Sequence, residues 1–168
     1  FFKSAWNAAW QDAAYYALAQ LDTRKGKYES ALDKIDRSLI RNWHNHKARQ
    51  LKTSILRKLG RKEEALALVA ESLQIDRFNM GCRFEHYLLT RDVEVLEEMK
   101  KLMRSWAHGY IEYALDFAAA GLYEEAFSLL ECYVIGVTEV YPVVYYTMGY
   151  FHTCKGDESK ALEDYQRA

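Results

Sequence analysis

Residues 57–66, Arg57-Lys58-Leu59-Gly60-Arg61-Lys62-Glu63-Glu64-Ala65-Leu66, compress a helix end, a glycine turn and a helix start into ten positions. Glycine suits such a turn because it takes positive φ without a Cβ penalty. Three other glycines have the same surroundings, each with an alanine five residues later: Gly26 with Ala31, Gly121 with Ala126 and Gly156 with Ala161, alongside Gly60 with Ala65. The intervals between the glycines are 34, 61 and 35 residues. Two of these are one repeat long, and the third reads as a full repeat plus a shortened one whose turn has lost its glycine. The chain is an array.

Composition agrees. Half of the 168 residues are hydrophobic, and a single proline with eight glycines leaves little material for tight hairpins of strands. Helix throughout is the expectation. Thirteen Tyr and four Trp are enough both to fill gaps between helices and to face a partner. Cys82, Cys132 and Cys154 are an odd number at wide spacing with no CxxC pair, which indicates neither a disulfide framework nor a zinc site; buried free thiols are expected. No apolar run approaches the ~20 residues that cross a bilayer. The chain begins at Phe1 without a methionine and reads as a piece of a longer protein, so its location in the cell is left open.

Net charge is −1, but a cut after Phe84 leaves 16 basic and 9 acidic residues before it and 7 and 15 after it, so the halves carry +7 and −8. Such asymmetry fits head-to-tail contact between molecules, or different partners for the two ends. It does not fit a uniformly basic nucleic-acid binder.

Five units are expected, at about 12–42, 43–77, 78–104, 105–140 and 141–168. In the first, Tyr15, Leu18 and Ala19 precede Gly26 at helical spacing, and Ala31, Leu32 and Ile35 follow it. Trp6 and Trp10, four apart, share a face of the leading helix, where they would either cap the open end of the core or form an exposed stacking platform. The second unit has Ala48, Leu51, Ile55, Leu56 and Leu59 before its turn, and Ala65, Leu66, Val69, Ser72, Leu73 and Ile75 after it. Between Arg41 and Lys62 it carries eight basic residues and no acidic one. The third is short and irregular, with Phe84, Tyr87, Leu88 and Leu89 on its first helix, Asp92 as N-cap of its second, and Val95, Leu96, Met99, Leu102 and Met103 as the stripe of the second. Its shortening should change the local superhelical pitch. Ser105 is the expected N-cap of the fourth unit, and Pro142 opens the fifth at a first helical position. No linker or low-complexity stretch separates the units, so one continuous solenoid is expected.

Aromatic residues stand eleven positions before three of the glycines (Tyr15, Tyr110 and Tyr145), and small ones seven before all four (Ala19, Thr53, Ala114 and Gly149). On these residues the chain resembles the tetratricopeptide repeat (TPR) proteins. The resemblance implies an all-α fold, a right-handed α-α superhelix of about five helical hairpins with the third shortened. It also implies that the first helix of each hairpin lines a concave groove. Carried over by register, the groove residues are Tyr16, Gln20 and Arg24, then Lys47, Gln50, Ser54, Arg57 and Lys58, then His108, Ile111 and Leu115, and finally Val143, Tyr146 and Tyr150. That groove grades from basic to aromatic and suits a peptide with an acidic segment and apolar anchors. The basic helix would equally suit another domain of the parent chain. The clamp by which some family members hold acidic chaperone tails is not matched, because Tyr16, Gln20 and Leu51 stand where Lys and Asn are wanted. A second resemblance, carried by residues 45–61 (NHKARQLKTSILRKLGR) and 75–89 (IDRFNMGCRFEHYLL), is to C-terminal repeat regions of large bacterial proteins with carbohydrate-acting β-sandwich-like domains. It implies a module that docks or oligomerises an enzyme.

Catalysis needs reacting groups held in a pocket, and no phosphate loop, HExxH, GxSxG or EF-hand pattern occurs. His44 and His46 belong to the connection before the second unit, and the adjacent Glu85–His86 and Glu131–Cys132 point in different directions on a helix. The expectation is a non-enzymatic protein-interaction scaffold without cofactor, metal, nucleic-acid or membrane partner. Its ligand is a protein or peptide, another domain of the same chain, or a second copy.

Overall fold

The structure, a computed structural model, describes Lys3 and residues 7–168. Among these every regular element is helical: a 3-10 turn at Ala8–Trp10, then α1 (Gln11–Arg24), α2 (Tyr28–Arg41), α3 (His46–Lys58), α4 (Lys62–Ile75), α5 (Met80–Thr90), α6 (Val93–Met103), α7 (Ala107–Ala119), α8 (Tyr123–Gly136), α9 (Pro142–Lys155) and α10 (Glu158–Arg167). Consecutive helices pair as hairpins. The contacts gather into two compact units, residues 1–102 with 119–121 and residues 103–118 with 122–168. The first holds 19 basic and 14 acidic residues, net +5; the second holds 4 and 10, net −6.

The four glycine turns form because each glycine takes positive φ, between 70° and 78°. At the first, the Gly26 amide donates to the Thr23 carbonyl and Lys27 to Asp22, both at 2.9 Å, which satisfies carbonyls the helix leaves open. The third hairpin has no glycine there, and Arg91 takes the left-handed conformation at φ 58°. Asp92 then accepts from the Glu94 amide at 2.9 Å, as an N-capping side chain does. Asn45 and Asn79 cap α3 and α5 through the amides of Ala48 and Cys82, each at 3.1 Å. Pro142 opens α9. Ser105 lies one residue too early to cap α7, where the capping position belongs to Trp106.

The repeat pattern is a packing pattern. The alanines after each turn (Ala31, Ala65, Ala126 and Ala161) are buried, as are the small residues before it, Ala19, Thr53 and Ala114. Paired helices approach closely there because nothing large intervenes. Gly149 makes the point most sharply. A methyl group on it would stand 2.7 Å from Cε1 and 2.8 Å from Cδ1 of Tyr165 on α10. Alanine inside a helix ordinarily gains roughly 1 kcal/mol over glycine. Here the overlap outweighs that gain, and Gly149→Ala should destabilise by about 1–3 kcal/mol in urea denaturation. An unchanged or higher midpoint would show that Tyr165 swings clear.

Phe84, Ile35, Ile55, Leu56 and Met99 fill the core of the first unit, and Phe117, Phe151, Leu129, Leu130 and Val144 that of the second. In the first unit an arginine takes the aromatic's place. Arg49, eleven before Gly60, is buried; its guanidinium lies 4.7 Å from the Trp43 ring centre and donates to Glu71 at 2.8 Å and to the Trp43 carbonyl at 2.7 Å. Of the cysteines only Cys82 is fully buried, with burial pushing its thiol up to about 12; Cys132 is half-buried and Cys154 exposed. Trp6 lies outside the described residues. Trp10 is 64% exposed.

Candidate functional site

In the first unit Gln50, Ser54 and Arg57 recur along one face of α3, and Gly81 and Glu85 along one face of α5. Gln50 lies against Gly81, and Ser54 Oγ donates to Glu85 Oε1 at 2.7 Å, an offset of 31 positions in both pairs. The equal offsets mean that the two helices run parallel, side by side. Arg57 donates to Glu85 through Nε at 2.6 Å and Nη2 at 3.1 Å. Glu85 is fully buried, so this charge-assisted network belongs to the interior of the unit.

That corrects part of the expected groove. Gln50 and Ser54 are buried beneath α5 rather than open to a ligand, and Ile111 of α7 is buried as well. Much of the basic run is engaged inside the unit: Arg49 with Glu71, Lys52 with Asp36 at 2.7 Å, Arg57 with Glu85, and Arg61 with Glu64 at 2.6 Å. Lys47 and Lys58 are exposed at the two ends of α3. On α1, Gln20 donates to the Tyr16 hydroxyl at 3.2 Å, and both are half-buried. Arg24 is exposed, but its guanidinium donates to the Ala119 carbonyl at 2.9 Å, a residue grouped with this unit. A hollow of about 220 Å³ lined by Gln11, Tyr15, Arg37, Ile40 and Arg41 is smaller than the usual small-molecule pocket.

The second unit presents a different surface. On α7, Leu115 is 43% exposed; on α9, Tyr146 is 60% and Tyr150 50% exposed, with Val143 half-buried beside them. His108, exposed on the first turn of α7, stands between two rings. Trp106 is at 6.2 Å and 60°, and Tyr141 at 5.5 Å and 63°, both edge-on. Trp106 and Tyr141 are 59% and 51% exposed. Sequence reasoning missed these two, although the signal was present. An aromatic residue lies one to three positions ahead of α3, α5, α7 and α9: Trp43, Phe78, Trp106 and Tyr141.

His46 and His152 approach Asp76 and Asp164 at 3.7 and 3.6 Å, beyond hydrogen-bonding distance. Burial raises the Asp164 carboxyl above its usual range. Among the described residues no group of three His, Cys, Asp or Glu side chains could hold a metal ion, and no helix is long and apolar enough to cross a membrane.

No family model and no curated protein matches the sequence. Solved structures do match in three dimensions. TTC0263, a thermophilic TPR protein in Thermus thermophilus, is similar at a TM-score of 0.53 and 19% identity, over 94% of this chain and 89% of that one. The fold is that of the TPR proteins. MamA protein is similar at 0.53 and 14% identity, over 95% and 90% of the two chains. MamA 41-end from Desulfovibrio magneticus RS-1 is similar at 0.52 and 16%, over 93% and 92%. At such identities the shared property is the helical-hairpin fold. The TPR register also accounts for the buried small residues and the turn glycines described above.

Proposed function

We propose that this chain is a non-catalytic module that docks a segment of another protein, and that the docking face lies on the first helices of the second unit. The observation that carries the reading is the exposure of Leu115, Tyr146 and Tyr150, three large apolar side chains at groove positions of α7 and α9. Large aromatics held on helices are effective anchors, because burying each on a partner removes much apolar area at little conformational cost. The basic end of the expected groove contributes less, since Arg49, Lys52 and Arg57 already neutralise carboxylates of their own unit.

The test is capture of partners by the immobilised chain, compared with Tyr146→Ala/Tyr150→Ala. The double variant should retain its helical circular dichroism and lose captured protein about tenfold or more. Equal capture by both would remove α9 from the docking face, and Lys47→Glu/Lys58→Glu would then be the variant to lose it. A second reading, an assembly module that docks or oligomerises a larger bacterial enzyme, draws support from the opposite net charges of the two units. It predicts concentration-dependent light scattering that collapses in high salt.

A further inference from the structure

We infer that the Trp106–His108–Tyr141 cluster is a receptor for an arginine side chain, and that the segment docked on the second unit is therefore a basic one. The inference rests on the docking reading above and assigns the chemistry of the partner.

The protein itself supplies the comparison. Trp43 and Phe78, the aromatics that precede α3 and α5, each lie under a guanidinium of their own unit: Arg49 and Arg77, both 4.7 Å from the ring centre. Arg37 over Tyr15, Arg91 over Tyr87 and Arg167 over Tyr145 repeat the arrangement at 5.6, 5.7 and 4.2 Å. Planar guanidinium stacks on aromatic faces because the ring quadrupole attracts it and its hydration is weak. Trp106 and Tyr141 hold the matching places before α7 and α9 but have no such cation among the described residues; their ring contacts are to His108. The second unit could not readily provide one. Of its four cations, Lys155 pairs with Glu124, Lys160 with Asp157, and Arg167 with Asp164 and Tyr145. Arg104, exposed in the turn before α7, stands over no ring among the described residues.

Charge points the same way. The second unit carries a net −6. Exposed Glu112 lies one turn after His108, and exposed Glu139 two residues before Tyr141. Two half-exposed rings bracketing an imidazole in an acidic field attract a cation that can also stack. The extended aromatic surface of α9 then receives the rest of the segment.

The test uses the 15N-labelled chain titrated with hexa-arginine, reading the indole N–H signals of Trp106 and Trp43. The Trp106 signal should shift and saturate, while Trp43, already covered by Arg49, stays in place. Hexa-lysine should bind more weakly and hexa-glutamate not at all. Tyr141→Ala should weaken hexa-arginine about two- to tenfold, and Glu112→Gln/Glu139→Gln should reduce both affinity and its salt dependence. Parallel, non-saturating shifts of both indoles would overturn the inference as a general ionic effect. So would a Trp106 shift that grows with protein concentration alone and is lost in Tyr141→Ala, because a second copy would then occupy the site. Either result, together with normal loss of capture in Tyr146→Ala/Tyr150→Ala, overturns the arginine receptor and leaves the docking face standing. Unchanged capture in that variant with a saturable Trp106 response does the reverse.

Discussion

Glu85→Ala is expected to cost about 3 kcal/mol of stability. Glu85 is fully buried and accepts two hydrogen bonds from Arg57 and one from Ser54. Truncation takes the carboxylate away from the Arg57 guanidinium and leaves the buried Ser54 hydroxyl only its longer bond to the Gln50 carbonyl at 3.2 Å. Ser54 is buried and Arg57 is 18% exposed, so water reaches the guanidinium only in part. The cost is that of a partly desolvated charge deprived of its carboxylate, and it is larger than the net worth of the pair, whose formation already required desolvating both groups. A double substitution, Arg57→Met/Glu85→Leu, removes charge from both sides and should recover most of the loss. Urea denaturation of the three proteins checks this. A Glu85→Ala midpoint close to that of the parent would mean that water enters between α3 and α5 and solvates Arg57.

This network also shows where sequence reading stopped. The period was legible because the four turn glycines need positive φ and the alanines after them need to be small, two local requirements that recur every repeat. The loss of glycine in the third turn was legible for the same reason, although not that Arg91 would adopt the left-handed conformation in its place. Which groove positions stay open was not legible. Gln50, Ser54 and Ile111 have the same helical register as Tyr146 and Tyr150, and exposure differs only because a neighbouring element covers one set. For Gln50 and Ser54 that element is α5, which meets them at Gly81 and Glu85. The pairing of Arg57 with a carboxylate 28 residues later carries no local signal, and a run of eight cations therefore looked like a ligand surface. The aromatics before α3, α5, α7 and α9 were visible in the sequence, but their spacing belongs to the connections rather than to a helix face, so a search for helical periodicity passed over them.

Phe151→Ala is expected to cost about 3–5 kcal/mol, and it separates stability from docking in the second unit. Phe151 is fully buried on α9, with ring centres of Tyr123 at 6.1 Å, Phe127 at 5.9 Å and Tyr150 at 6.0 Å. Removing it takes away apolar burial and leaves a cavity between α8 and α9 that the rings of Tyr123 and Phe127 cannot collapse to fill. Tyr150, its neighbour in sequence, is 50% exposed about 100° further round the same helix, so Tyr150→Ala should cost about 1 kcal/mol, well below Phe151→Ala. The two variants should therefore diverge in both measurements. Phe151→Ala lowers the denaturation midpoint and accelerates amide exchange in α8 and α9, whereas Tyr150→Ala lowers the midpoint far less and weakens capture of the docked segment. If Tyr150→Ala were the more destabilising of the two, its ring would be part of the core, and the docking face would have to be redrawn around Leu115 and Tyr146.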